Sequence, residues 1–275
     1  MRSTLIKIGP IPINSYGLLI GIGFLLSVYF MRRDARARNL NPDRITDLAF
    51  WGLLWGIIGT RVLHIILFPD EYSWKDPIGW IAVWRGGLVF QGALPPVIAV
   101  CVFYARKHKL PLWKMADVIC PYIPLGHAFG RLGCFMHGCC FGKVCNLPWA
   151  VAFPHGSPAW DLQQRMGLIL PDAGKSLPVH PTQLYSAAGL ILLFLIIRLL
   201  RDRWHPFDGF TFPAYLFLYS VFRFFVEFFR GDHNPSHFGG LSDQQVFCLL
   251  GMVVGVVLFL LLRHRAKIRP TTSLS

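Results

Sequence analysis

The sequence predicts an all-α integral membrane protein, and three observations support this fold class. Of the 275 residues, 54% are hydrophobic and only 15% are charged, and the mean hydropathy is +0.47. Apolar runs long enough to cross a hydrocarbon core of about 30 Å, roughly 20 helical residues each, recur along the chain. These runs do not alternate apolar with polar residues, which favours helices over the strands of a membrane barrel.

Seven such runs predict seven transmembrane helices in a single polytopic domain that covers residues 1–275. The longest connection between them, 143–180, is rich in proline and predicts an ordered external arm that is too short for a core of its own. Residues 264–275 are predicted to form a cytoplasmic tail. We place the spans at about 13–31, 45–68, 86–105, 115–136, 181–199, 209–229 and 244–262.

The basic residues predict the orientation of these spans. They crowd into every second loop and the C-terminal segment, so that 16 of the 27 Lys and Arg residues fall on one side of the predicted membrane and 8 on the other. The positive-inside rule places the richer side in the cytoplasm. The N-terminus is then periplasmic or external and the C-terminus cytoplasmic. Because the net charge of +13 follows the topology in this way, we expect no nucleic-acid partner.

Three arginines lie within predicted spans, namely Arg61, Arg131 and Arg223. A charge at membrane depth is costly, so each should face a polar cavity and have a partner. Arg223 and Glu227 are four residues apart and share a helix face, and Arg230 follows near the same stripe. One interpretation is pairing that fixes helix packing. The other is a pocket for an anion such as phosphate, which planar guanidinium groups suit.

The third span contains GGLVFQGALPPV, in which two adjacent prolines interrupt a normal helix. Broken backbone at membrane depth is tolerated where protein or a watery cavity satisfies it. Gln91 is therefore predicted to lie at a cavity wall, with a simple packing kink as the alternative.

The fourth span ends in GRLGCFMHGCCFGK, residues 130–143, which holds three of the seven cysteines. A zinc site usually shows a CxxC pair or histidines at helix spacing, and neither occurs here, so no metal site is predicted. Two other interpretations stay open. Cys145 could form a disulfide with Cys139 or Cys140 if the segment faces an oxidising compartment, or Cys134 and its neighbours could be small packing residues.

These segments resemble the bacterial prolipoprotein diacylglyceryl transferase family. The resemblance runs along nearly the whole chain, through SYGLLIGIGF, GTRVLHI, WRGGLVFQGAL, GRLGCFMHGCCFGK, HPTQLYSA and FRFFVEFFR. It implies a seven-span protein of the bacterial inner membrane that needs no cofactor. It also implies a reaction in which diacylglyceryl passes from phosphatidylglycerol to the lipobox cysteine of a lipoprotein precursor, so that a thioether forms and glycerol phosphate leaves.

The resemblance also assigns functional positions. Arg131 and Arg223 would hold the phosphate, Glu227 would orient an arginine, and Tyr16 would line the headgroup pocket. The remaining positions that match pocket residues of the family are Arg61, Gly142, His180, Tyr185 and Arg230.

The chain departs from the family pattern at positions that handle protons. Gln91 replaces a family histidine, and a glutamine cannot accept a proton at neutral pH. Cys134 replaces an asparagine, and Cys139 and Ser186 replace acidic residues. The candidates for a replacement base are His137, His64 and His127. A thiol with a pKa of about 8.5 also needs less help to ionise than an alcohol.

Two rival functions remain open on these residues. One is a paralogue that binds or transports an anionic lipid or an envelope peptide without glyceryl transfer. The other is a thiol-redox membrane protein that uses Cys139 and Cys140.

Overall fold

The structure is a computed structural model that describes residues 4–8, 11–73, 76–83, 86–232 and 239–268, with the backbone alone for 4–8, 11–14 and Phe90. Within these residues the regular structure is mostly α-helical. Residues 269–275 of the predicted tail lie outside the described ranges. A short hairpin, β1 (Thr4–Ile8) with β2 (Ile11–Asn14), precedes the helices. The helices are α1 (Ser15–Ala37), α2 (Pro42–Leu67), α3 (Pro77–Ile81), α4 (Leu94–Lys107), α5 (Leu112–Ile119), α6 (Ile123–His137), α7 (Pro158–Arg165), α8 (Thr182–Trp204), α9 (Thr211–Glu227) and α10 (Asp243–Ile268).

Four of these helices, α1, α2, α8 and α10, are long and apolar enough to cross a membrane. The integral membrane class is therefore supported by the structure. Shorter helices coincide with the other three predicted spans: α4 has 14 residues, α6 has 15 and α9 has 17.

The two prolines of the third span begin a helix and do not interrupt one. Residues 86–89 are irregular, Phe90–Ala93 form a 3-10 turn, and α4 starts at Leu94 with Pro95 and Pro96 in its first turn. The amides missing from the prolines would have had no acceptor within the helix at these positions, so the start of α4 tolerates them. The predicted interruption of the third span is therefore present, but it lies before α4 and is not a break or kink within a helix.

The described residues within 1–30 and 116–275 form one compact unit, and those within 31–115 form another. In the first unit, α6, α8 and α9 pack around the buried Ala128, Leu190, Leu193 and Ile197. Small residues allow close approach here, because a Cβ at Gly189 would strike the ring of Phe222.

One buried carboxylate, that of Asp117, holds the loop between α8 and α9 in this unit. Asp117 accepts hydrogen bonds from the Gly209 amide at 2.6 Å, from the Thr211 amide at 3.0 Å and from the Thr211 hydroxyl at 2.8 Å. His205 Nε2 lies 2.9 Å from the same carboxylate. Asp117 thereby fixes the loop between α8 and α9 to α5.

In the second unit, α2 packs against α4 and the 3-10 turn before it. Gly59 and Gly92 face each other, and a Cβ at either would strike the carbonyl oxygen of the other. The two backbones approach closely because neither residue carries a side chain.

The arm between α6 and α8 is held by short bridges, Val144 with Val179, Val151 with Val179, and Pro154 with Lys175. Phe141, Phe153, Ala159 and Val179 form its small buried core. Ser157 caps α7 by accepting from the Trp160 amide at 3.3 Å.

Candidate functional site

The site begins with a buried ion pair on α9. Arg223 and Glu227 are one helical turn apart, and their Nη1 and Oε2 atoms lie 2.6 Å apart with both side chains buried. Ser242 donates from its hydroxyl to Glu227 Oε1 at 3.1 Å. The four-residue spacing thus produces the predicted shared face. The second oxygen of Glu227 is tied to the segment that leads into α10.

Arg230 lies three residues after the end of α9 and is paired with Asp232. Its Nε and Nη2 donate to the two oxygens of Asp232 at 2.7 and 2.8 Å. This is the bidentate geometry that guanidinium and carboxylate favour. Arg230 is buried as well, at 6% exposure.

Arg131 comes from α6 and has a different partner. Its Nε donates to His127 Nε2 at 3.2 Å, so that His127 accepts as a neutral imidazole. Across the part of the chain that the structure describes, no carboxylate forms an ion pair with Arg131. Arg131 and Arg230 are both close enough to Arg223 for their charges to act on it. We call these three residues, Arg131, Arg223 and Arg230, the arginine cluster. With two carboxylates for three guanidinium groups, it carries a net positive charge that suits an anion.

The end of α6 folds the cysteines back toward this cluster. Gly138 takes a left-handed conformation with φ of +82°, and its amide donates to Phe135 O at 3.3 Å and Cys134 O at 2.9 Å. The Cys139 amide also donates to Cys134 O, at 3.2 Å. These are the hydrogen bonds of a Schellman motif, for which glycine is the preferred residue.

This cap gathers three sulfur atoms, which we call the thiol cluster. The Sγ atoms of Cys134, Cys139 and Cys140 all lie within 4.8 Å of one another. The thiols of Cys134 and Cys139, and then the guanidinium groups of Arg230 and Arg131, lower the pKa of the Cys140 thiol against the opposing effect of burial.

Two side chains from the start of α8 hold the backbone of the thiol cluster. Thr182 donates from its hydroxyl to Cys140 O, and Gln183 donates from Nε2 to Cys139 O, each at 2.8 Å. Both side chains are fully buried. Within the described residues, Gln183 Oε1 is buried without a hydrogen-bond partner.

Gly142 lies where three backbone segments meet. Its amide donates to His180 O at 2.9 Å, the next amide, Lys143, donates to Phe229 O at 2.9 Å, and Gly142 bridges to Arg230. A Cβ at Gly142 would lie 2.5 Å from the Cβ of His180 and 2.6 Å from Phe229 O. Gly142 therefore connects the arm to Arg230 through its lack of a side chain.

His180 and Tyr185 form an aromatic group beside this junction. His180 Nδ1 lies 3.3 Å from the Tyr185 hydroxyl, which accepts from Trp149 Nε1 at 2.7 Å. The ring of Phe229 packs on both, with centroid distances of 5.4 and 6.2 Å. The group joins the arm, α8 and the end of α9.

Tyr16 lies at the start of α1, where that helix meets α6. A Cβ at Gly133 would lie 2.9 Å from the Tyr16 ring and 3.3 Å from its Cα. The Tyr16 hydroxyl is close enough to Arg131 and the three thiols for their charges to act on it. His137 is exposed, and its ring centroid lies 6.4 Å from that of Tyr16.

The remaining predicted residues lie in the second unit. Arg61 donates to four backbone oxygens: Nε to Trp80 at 3.1 Å, Nη1 to Gly86 at 2.7 Å and Gly87 at 2.9 Å, and Nη2 to Gly79. Four of its five N–H groups are thus engaged by the segment between α2 and α4, and its guanidinium also lies over the Tyr72 ring at 4.9 Å.

The other two predicted residues of this unit lie on either side of that segment. His64 Nδ1 lies 2.7 Å from the Tyr72 hydroxyl. Gln91 is exposed in the 3-10 turn before α4.

The structure decides between the two interpretations of the cysteines that the sequence left open. All seven are free, so Cys145 forms no disulfide with Cys139 or Cys140. The thiol cluster itself was not predicted, because its cysteines do not have the CxxC spacing of a typical zinc site. The available signal was Gly138, since a glycine after a helix marks a cap that turns the chain back on itself.

Comparison with known proteins identifies the family. Residues 3–261 match the prolipoprotein diacylglyceryl transferase family. A phosphatidylglycerol–prolipoprotein diacylglyceryl transferase of Aliivibrio fischeri is 32% identical over 271 residues, which cover 97% of this chain and 91% of the relative. One of Vibrio cholerae is 33% identical over 259 residues, covering 92% and 89%. The chain belongs to the prolipoprotein diacylglyceryl transferase family, as its sequence motifs predicted.

Proposed function

We propose that the arginine cluster binds the phosphate of phosphatidylglycerol while the thiol of a lipoprotein precursor attacks the glyceryl carbon. The family makes the chain a diacylglyceryl transferase, and its relatives are named for these two substrates. The observation that carries the proposal is the proximity of three guanidinium groups, of which Arg223 and Arg230 are paired with carboxylates while Arg131 has no ion pair among the described residues.

The reaction needs positive charge where this cluster lies. A sulfur nucleophile displaces a phosphate, so negative charge builds on the leaving oxygen as the carbon–oxygen bond breaks. Buried, preorganised donors stabilise such charge strongly because water does not screen them. Glycerol phosphate then leaves, and the diacylglyceryl group stays on sulfur as a thioether.

The residues of the cluster take different roles. Arg131 offers the guanidinium that is not matched by a carboxylate, so it is the main phosphate ligand. Arg223 is oriented by Glu227 and Arg230 by Asp232, and both add positive charge at fixed positions. Tyr16 lines the headgroup pocket at the α1 and α6 contact.

The other predicted residues act through position. Gly142, His180 and Tyr185 fix the arm against the end of α9 and so locate Arg230. Arg61 donates four hydrogen bonds to backbone oxygens, so it holds the conformation of the segment between α2 and α4. His137 is the candidate base, since His127 is engaged by Arg131 and His64 faces Tyr72.

The membrane arrangement is part of the proposal. We infer seven spans in the bacterial inner membrane, with the N-terminus and the arm outside and the C-terminus in the cytoplasm. The asymmetry of basic residues supports this orientation. The nucleophile is the lipobox cysteine of the precursor, presented at the outer face, where the arm lies.

Transfer of labelled diacylglyceryl from phosphatidylglycerol to a lipobox peptide tests the function. The purified protein should catalyse it, and Arg131→Ala should lose at least 100-fold in kcat/KM, as roughly 3 kcal/mol of transition-state stabilisation implies. Arg263→Ala, at the exposed end of α10, is the matched control and should keep full activity. Equal activity in all three proteins would refute the role of Arg131. No transfer, with phosphatidylglycerol still bound, would leave a lipid-binding protein.

A further inference from the structure

We propose that Cys134, Cys139 and Cys140 form a three-thiolate site for a thiophilic divalent cation of the Zn²⁺ type, and that its open position coordinates the thiol of the substrate peptide. The metal site is inferred from the geometry of the thiol cluster. The coordination of the substrate thiol rests in addition on the proposed function.

The geometry of the thiol cluster fits a zinc site with three protein ligands. A tetrahedral Zn²⁺ with Zn–S bonds of about 2.3 Å places its sulfur ligands about 3.8 Å apart. The three Sγ atoms already lie within 4.8 Å of one another, so small side-chain rotations close the difference. Three protein ligands and one exchangeable position are typical of catalytic zinc sites, whereas structural sites use four.

The backbone that carries two of the ligands is held in place. The Schellman cap fixes Cys139 over Cys134, and Thr182 and Gln183 bind the carbonyl oxygens of Cys140 and Cys139 from α8. A ligand set fixed in this way loses little conformational freedom when a metal binds. The unpartnered Gln183 Oε1 is a buried acceptor beside the cluster that a polar ligand could satisfy.

The charges around the cluster also favour the complex. Three thiolates and one divalent cation leave one net negative charge, which is costly to bury alone. Arg230, which is paired with Asp232, and Arg131, which has no ion pair among the described residues, lie close enough for their charges to act on Cys140, so the unmatched charge of Arg131 offsets it. Cys134 is buried, while Cys139 and Cys140 are partly exposed, which leaves a path for the cation and for a substrate sulfur.

Such a site would promote ionisation of the substrate thiol, which Gln91 cannot do because it does not accept a proton. A thiol that binds Zn²⁺ loses its proton, and the proton passes to solvent as the S–Zn bond forms. The sulfur electron pair then attacks the glyceryl carbon, the S–C bond forms, and the C–O bond to phosphate breaks with its electrons on the departing oxygen. No redox change occurs. The thioether product has no charge and binds Zn²⁺ more weakly than the thiolate, so it can leave.

Equilibrium dialysis against Zn²⁺ tests the site itself, on the full chain purified without a polyhistidine tag. We expect about one Zn²⁺ per chain, and Co²⁺ in its place should give the intense thiolate-to-metal absorption of a sulfur-rich tetrahedral site. Cys134→Ser, Cys139→Ser and Cys140→Ser should each weaken binding by roughly 100-fold or more, beyond the effect of losing an outer-shell partner. Cys145→Ser, which changes the neighbouring cysteine outside the cluster, should bind as the parent does. Binding that all four variants share, no binding, or a disulfide within the cluster would overturn the site.

Peptide transfer by metal-free and Zn²⁺-loaded protein tests the role of the metal. At pH 7 a free thiol with a pKa of about 8.5 is only about 3% ionised, so metal removal should slow transfer by up to roughly 30-fold. The difference should shrink toward roughly twofold at pH 8.5, where half of the free thiol is ionised. Equal rates at pH 7 would refute thiol coordination and leave the transferase intact. Absence of transfer from both forms would instead refute the proposed function, and dialysis alone would then decide the metal site.

Discussion

Replacement of Gly142 by alanine should both destabilise the protein and reduce transfer, because it forces apart the junction that locates Arg230. The new Cβ would meet His180 Cβ at 2.5 Å, Phe229 O at 2.6 Å and His180 O at 2.7 Å. Two of these three atoms belong to backbone, so no side-chain rotation can relieve the overlap. The chain must separate from both neighbours by several tenths of an ångström to reach ordinary contact.

The cost follows from those contacts. Overpacking in a well-packed site typically costs about 1–3 kcal/mol, and each of the two backbone hydrogen bonds at the junction, from Gly142 to His180 and from Lys143 to Phe229, contributes about 1 kcal/mol. If one of them breaks, the free energy of unfolding falls by about 2–4 kcal/mol. Titration of detergent-solubilised protein with SDS would measure the loss of stability. The transfer assay would show whether displacement of Arg230 slows the reaction.

Gly174→Ala is the matched control for this variant. Gly174 lies on the same arm, and an added Cβ there meets nothing within 4 Å, so its stability and activity should stay close to those of the parent. A Gly142→Ala protein as stable and as active as Gly174→Ala would refute the argument that Gly142 serves by lacking a side chain.

Three further variants test individual contacts. Glu227→Gln leaves the charge of Arg223 buried without a partner and should cost about 3–5 kcal/mol of stability, measured by the same titration; a loss below 1 kcal/mol would show that the pair is not buried as described. Asp117→Ala removes the acceptor of four hydrogen-bonding groups and should cost about 3 kcal/mol with the KM of transfer unchanged, whereas the exposed Asp172→Ala should cost almost nothing. Arg61→Lys cannot reach four carbonyl oxygens with one ammonium group, so amide exchange in the segment that Arg61 binds should accelerate; unchanged exchange would remove Arg61 from that role.

The sequence alone was sufficient where a feature depends on spacing along one helix. The four-residue interval from Arg223 to Glu227 predicts a shared face on any helix, and the structure has the pair at 2.6 Å. The adjacent prolines likewise predict a helix boundary, although they mark the beginning of α4 and not a break within it. In both cases the local geometry of the backbone decides the outcome.

Features that depend on how distant segments meet could not be predicted in this way. The role of Arg61 depends on carbonyl oxygens 18 to 26 residues further along the chain, and no pattern at Arg61 itself indicates them. Asp232 and Ser242, which hold Arg230 and Glu227, lie beyond the predicted span. The thiol cluster lies between these two cases. It depends on local backbone geometry, namely the direction in which the chain leaves α6. That direction follows from the left-handed conformation of Gly138, which the spacing of the cysteines does not indicate.

The ionisation of the cysteines helps to determine the net charge of the site. The resemblance implies an asparagine and an acidic residue at the positions of Cys134 and Cys139, whereas this chain has a thiol at each. A thiol is neutral unless neighbouring charges or a metal ion remove its proton. With Glu227 and Asp232 already paired to Arg223 and Arg230, the charge beside Arg131 depends on the ionisation of the thiol cluster. On the proposed function, in which Arg131 binds the phosphate, the strength of that binding should therefore vary with the ionisation and metal occupancy of the thiol cluster.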